Sequence, residues 1–126
     1  MSQATDVQNR TIEAVQKAFP LSRLFRTNTG SAYPLTTFQR ALSFLKQGIT
    51  PPWLRPVQYG IVGGGDVSGW IHHNGVAICC HIEVKVKDSQ SDSQRKFEAV
   101  LVRCGGIYIV VHSAEEAVEK LKKWCA

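Results

Sequence analysis

Asn74-Gly75 lies between two apolar runs rich in β-branched residues, Val67 to Ile71 and Val76 to Val86. Asn-Gly readily adopts the left-handed conformations of a two-residue hairpin turn, so this dipeptide between such runs is a strong hairpin signal. A hairpin with a defined turn has a defined register. Counting back equally from the turn places Glu83 opposite Asp66. Carboxylates that face each other across two strands repel and cost stability unless a cation sits between them. Oxygen donors of this kind suit Mg²⁺ or Mn²⁺. Gly63-Gly64-Gly65 precedes Asp66 and permits a tight bend or a close backbone approach. A bulge at those glycines would shift the pairing.

The second arm reads Cys80-His-Ile-Glu-Val-Lys-Val86. Alternation gives Ile82, Val84 and Val86 one apolar face, and Glu83 and Lys85 the other, with His81 before them and Lys87 after. Taken alone, a Glu and a Lys two apart on a strand equally describe a solvated edge whose charges compensate, and Gly-Asp equally describes a plain turn. Together they supply the parts for phosphodiester hydrolysis. A metal on the carboxylates binds a phosphate oxygen and lowers the pKa of an attacking water. Lys85 on the same face stabilises the charge that develops.

Helices are predicted over 5–19, capped by Thr5 or Asp6 and ended by Pro20, and over 36–47, where Phe38, Leu42 and Leu45 form a stripe before Gly48. Arg26 to Gly30 reads as a polar turn, and Pro51-Pro52-Trp53-Leu54-Arg55-Pro56 as a stiff connection. Val57 to Val62 reads as a short strand. A helix opens within Ser89–Ser93 and stops at Gly105-Gly106, and Ile107 to Val111 is a strand. Ser113 to Glu116 forms a capping box for a last helix that runs to Trp124, with Val118, Leu121 and Trp124 inward. The strand–helix–strand passage from 76 to 111 is long enough for a right-handed crossover between parallel strands. The expected class is α/β (α+β): a single domain with one mixed sheet of about four strands flanked by helices.

The chain has 126 residues, 44% hydrophobic and 20% charged, an ordinary globular composition. No apolar run approaches the roughly 20 residues that span a bilayer, and the N-terminus carries no apolar leader, so no membrane partner and an intracellular, cytoplasmic setting are expected. Cys79, Cys80, Cys104 and Cys125 form no ligand motif and read as packing residues, and His72-His73 reads as part of a wet turn. The net charge of +5 comes entirely from residues 1–60. An asymmetric basic excess suits a polyanion, although solubility alone would also account for it.

The order Gly-x-x-Asp, hairpin, Glu-Val-Lys, then a helix opening with Gln resembles the PD-(D/E)XK nuclease superfamily. Within it, Gly65-Asp66-Val67-Ser68-Gly69, Ile82-Glu83-Val84-Lys85, Ser91-x-x-Gln94-x-x-Phe97 and Gly105-Gly106-x-Tyr108-x-Val110-Val111 resemble the VRR-NUC family, over residues 60 to 118 and at Thr11 to Gln16. The resemblance implies a restriction-endonuclease-like core and a Mg²⁺- or Mn²⁺-dependent endonuclease on branched DNA. The small phage-type members, which this chain is similar to in size, resemble Holliday-junction resolvases and form homodimers. It further implies Asp66, Glu83 and the Val84 carbonyl as metal ligands, Lys85 as the catalytic lysine and Gln94 as a helper. Glu13 becomes a helix-borne acid reaching a second metal or a water, or else an exposed helix residue. Arg26, and with it Lys87 and Arg55, become DNA contacts. Residues 31–56 match no family motif and read as a dimerisation or substrate-recognition insert. The alternatives are a flap- or nick-directed nuclease, a catalytically silent nucleic-acid-binding module of the same fold, and a protein-interaction domain.

Overall fold

The computed structural model describes residues 2–27, 30–32, 35–55, 57–59, 63–85 and 90–126. In chain order the elements are α1 (Gln3–Ala18), β1 (Arg23–Arg26), β2 (Gly30–Ala32), α2 (Leu35–Lys46), β3 (Val57–Tyr59), β4 (Val67–His73), β5 (Val76–Val84), α3 (Asp92–Arg103), β6 (Ile107–Val111) and α4 (Ala114–Cys125). They fall into two compact units, one of residues 1–27 with 61–126 and one of residues 28–60.

The larger unit is an α+β fold around a four-stranded mixed sheet of order β1-β4-β5-β6. β1 and β4 are antiparallel, β4 and β5 form the hairpin, and β5 and β6 run parallel with α3 between them. The hairpin turns on Asn74 and Gly75, both at positive φ (51° and 76°), as Asn-Gly predicts. Val67 pairs with Ile82 and His73 with Val76, the register obtained by counting from the turn, with no bulge in the ladder.

One sheet face carries Leu24, Val67, Ile71, Cys80, Ile82, Val84, Ile107 and Val111. Val15 of α1 and Ala117 and Leu121 of α4 close over it to make the core. Burial raises the Cys80 thiol pKa to about 12, so this cysteine is inert packing. The other three depart from expectation, with Cys79 and Cys104 exposed and Cys125 half-buried. α1 begins earlier than its sequence suggests because the Ser2 hydroxyl accepts the Thr5 N–H at 3.1 Å and takes the cap. α4 ends with Trp124 exposed, not inward, its ring edge-on to His73 with centroids 5.9 Å apart. His72 and His73 lie in β4, not in the turn.

The polar stretch at Arg26 is not a turn throughout. Residues 23–26 form β1, in which Leu24 alone is buried. The Gln16 side chain accepts the Leu24 N–H at 2.9 Å and so satisfies part of this edge.

The smaller unit holds the antiparallel pair β2–β3 and α2. Ala41, Pro51 and Leu54 are buried there, while Leu42 of the expected stripe is exposed. Trp53 packs edge-on to Phe44 at 6.3 Å, and the Arg40 guanidinium lies 5.6 Å from the Trp53 ring centroid. The expected strand over 57–62 is observed at 57–59, and residues 60–62 lie outside the described residues.

Candidate active site

Beyond the Val67–Ile82 pair the main chains of β4 and β5 part, and a side chain takes over the ladder. Asp66 Oδ2 accepts the Val84 N–H at 2.9 Å. Asp66 is also tied to the edge strand, since its carbonyl accepts the Thr27 N–H at 2.7 Å. By strand alternation Asp66 and Glu83 fall on the sheet face opposite the core. Glu83 is buried, and Lys85 Nζ lies 3.3 Å from its Oε1. Glu83 Oε2 is buried and has no hydrogen-bond partner among the described residues. Burial and the nearby Asp66 carboxylate push the Glu83 pKa above the usual carboxylate range, while Lys85 and Gln94 pull it back.

The glycine run explains how these groups meet. A Cβ on Gly63, which has φ of 84°, would stand 2.2 Å from the Ser93 carbonyl oxygen of α3. A Cβ on Gly65 would stand 2.8 Å from the Ile82 carbonyl oxygen of β5. Only glycine lets this arm pass between the start of α3 and the middle of β5. The Gly65 N–H donates to His81 Nδ1 at 3.0 Å. Burial lowers the His81 pKa, which keeps that nitrogen an acceptor. His81 packs against Phe97 (centroids 4.7 Å apart) and stacks parallel to Tyr108. Burial and the neighbouring Glu83 raise the Tyr108 pKa to about 12, so its hydroxyl stays protonated.

α3 brings Gln94. Ser91 Oγ accepts the Gln94 N–H at 3.2 Å, and Gln94 Oε1 accepts the Ser91 N–H at 2.9 Å, a complete capping box. Gln94 also lies close enough to Glu83 to favour its charged carboxylate. The capping role and the approach to Glu83 are therefore compatible in one side chain.

The remaining sequence candidates are Glu13, Arg26, Arg55 and Lys87. Glu13 is exposed on α1, the helix that covers the opposite face of the sheet, and lines a shallow groove with Arg10, Lys17 and Glu115. Arg26 is exposed at the end of β1, with its Nε donating to Gln8 Oε1 at 3.0 Å. Arg55 is exposed in the smaller unit, and Lys87 lies outside the described residues. Sequence reading had not assigned roles to His81, the acceptor that holds the glycine arm, or to Phe25 and Trp70 on the same sheet face. Two apolar residues between two arginines in Arg-Leu-Phe-Arg were the only short signal available for β1.

Among the described residues no three His, Cys, Asp or Glu side chains group to hold a metal ion. The donors are two carboxylates, with the carbonyl of the residue whose N–H Asp66 accepts. An anionic pair that includes a buried, unpartnered carboxylate oxygen fits a hard divalent cation. No helix among the described residues is long and apolar enough to cross a membrane. No family model, curated protein or solved structure matches this chain.

Proposed function

We propose that the chain is a divalent-metal-dependent endonuclease of restriction-endonuclease-like type, similar to the VRR-NUC family, hydrolysing phosphodiester bonds in branched DNA. The observation that carries this reading is the buried Glu83 oxygen without a donor, beside Asp66 and within reach of Lys85. A structural ion pair would leave neither an orphaned oxygen nor a second carboxylate close by. Mg²⁺ or Mn²⁺ bound there supplies Lewis acidity toward a phosphate oxygen and a water.

The chain's own residues do the rest. Asp66 and Glu83 fix the cation's place, with the Val84 carbonyl as a third oxygen. Lys85, whose Nζ lies 3.3 Å from Glu83, stabilises the negative charge added to the scissile phosphate. Gln94 orients Glu83 through its amide. Glu13 faces away from the group, so we assign it no metal. The basic excess of residues 1–60, including Arg26 and Arg55, attracts the DNA backbone, and Lys87 extends that attraction beyond β5. A homodimer would present two such centres to two strands, as symmetric cleavage of a four-way junction requires. The exposed Leu35, Leu42 and Phe44 of α2 provide apolar surface for pairing. Such an enzyme acts where the DNA is, in the cytoplasm of a bacterial host if phage-encoded.

The test is a panel of labelled four-way junction, flap and linear duplex, each incubated with Mg²⁺, Mn²⁺ or EDTA. Metal-dependent cleavage of the branched substrates is expected, and Asp66→Asn, Glu83→Gln and Lys85→Ala should each lower it by about a hundredfold or more while DNA binding survives. Absence of metal-dependent cleavage on every substrate would sink the enzyme reading. Unimpaired cleavage by Lys85→Ala would remove the role given to that residue.

A further inference from the structure

The sheet face that carries Asp66 and Glu83 is only partly covered. At one end α3 packs Phe97 on His81 and Tyr108. At the other, Phe25 is 56% exposed and Trp70 39% exposed. Register places Arg23 directly across from Trp70 and Phe25 across from Ser68, so Phe25 and Trp70 are diagonal neighbours on one face with a guanidinium-bearing residue beside them. Both Arg23 and Trp70 are held in place. Trp70 Nε1 donates to the Leu21 carbonyl at 3.0 Å. Arg23 donates to the carbonyls of Pro20 and Ser22 at 2.8 and 2.7 Å. Two aromatic rings left in water on a sheet that buries its opposite face mark a binding surface more than a packing accident.

We propose that Phe25 and Trp70, with Arg23, form a stacking platform for unpaired bases, so that the preferred DNA carries single-stranded nucleotides next to the scissile phosphate. For its ligand the inference rests on the nuclease reading. Three features select bases as the occupant. Aromatic faces beside a cation are what base rings stack on. The platform is continuous with the carboxylate pair, since Asp66, Ser68 and Trp70 alternate along one strand face. Trp70 stands about 13 Å along the strand from Asp66, at roughly 3.3 Å per residue, a span of a few nucleotides. Bases inside a duplex expose edges, not faces, so the platform favours flaps, splayed arms and single strands over fully paired arms.

The test measures binding in EDTA, where nothing turns over, by fluorescence anisotropy with a labelled oligothymidylate and a duplex of equal length. The proteins are the wild type, Phe25→Ala, Trp70→Ala and Trp70→Phe, each checked for native circular dichroism. Phe25→Ala and Trp70→Ala should weaken single-strand binding by about tenfold each and leave duplex binding unchanged, and Trp70→Phe should restore most of the loss. Equal single-strand binding by Phe25→Ala and wild type overturns the platform, as does an equal loss on both ligands. If Phe25→Ala shifts the sedimentation mass but not the affinity, the face joins copies of this chain and the platform is wrong. A wild type that stacks single strands yet cleaves nothing with Mn²⁺ keeps the platform and sinks the nuclease reading. A wild type that cleaves while Phe25→Ala binds normally does the reverse.

Discussion

Glu83 shows how a single side chain can be an expense to the fold. One carboxylate oxygen has a lysine, the other has no donor, and a second carboxylate lies close by. Asp66→Asn keeps an oxygen for the Val84 N–H and removes the repulsion. In metal-free buffer it should stabilise the protein by on the order of 1 kcal/mol, seen as a rise of a few degrees in Tm. A fall in Tm would mean that the Asp66 charge contributes more than it costs. The register of the hairpin up to Val67 and Ile82, which brings Asp66 near Glu83, was legible in the sequence because a two-residue Asn-Gly turn leaves one register. The donorless oxygen was not, because it depends on what α3 and Lys85 fail to supply. Glu13 was equally open to two readings in sequence. Only the packing of Val15 into the core places α1 on the far side of the sheet.

At the scale of elements, capping and close approach set the site. Ser91 and Gln94 cap α3 together, so Ser91→Ala and Gln94→Ala should each cost about 1 kcal/mol in denaturant unfolding. Only Gln94→Ala should also lower cleavage by protein that is fully folded, and equal cleavage by the two variants would reduce Gln94 to a cap. Gly63→Ala meets both a positive φ and the Ser93 carbonyl. It should destabilise by well over 1 kcal/mol and, by displacing α3 from the arm, reduce activity. α4 carries a modified cap, in which Ser113 accepts the Glu116 N–H while Glu116 accepts the His112 N–H at 2.9 Å. That backbone bond, with Lys120 and His112, lowers the Glu116 pKa. A carboxyl with a depressed folded pKa stabilises above its unfolded pKa and loses that contribution as pH falls through the folded value. Wild type should therefore exceed Glu116→Gln in Tm at neutral pH, with the gap closing below about pH 4. A gap independent of pH would show that the charge plays no part. The sequence showed these caps as Ser-x-x-Gln and Ser-x-x-Glu. It hid β1, because a four-residue edge strand with one buried side chain has too short a pattern to register.

At the scale of the molecule, the core belongs entirely to the unit of residues 1–27 and 61–126. Close to where the chain leaves and rejoins this unit, Thr27 and Asp66 are hydrogen-bonded. A chain in which a short Gly-Ser loop replaces residues 28–60 should still melt cooperatively by circular dichroism. A broad, non-cooperative melt would show that the smaller unit is part of the fold's foundation. The mixed sheet, its parallel closing pair and the crossover helix followed from periodicity and spacing. The division into two units did not, because the apolar stripe of α2 looks like a core face and turns out only partly buried. What unites the scales is the claim that the fold builds a pair of carboxylates to hold a cation. The most direct measurement is a calorimetric titration of Mn²⁺ into metal-free wild type, Asp66→Asn and Glu83→Gln. The account predicts saturable uptake by the wild type and its loss in both variants. Equal uptake by all three proteins, or none by the wild type, would contradict it.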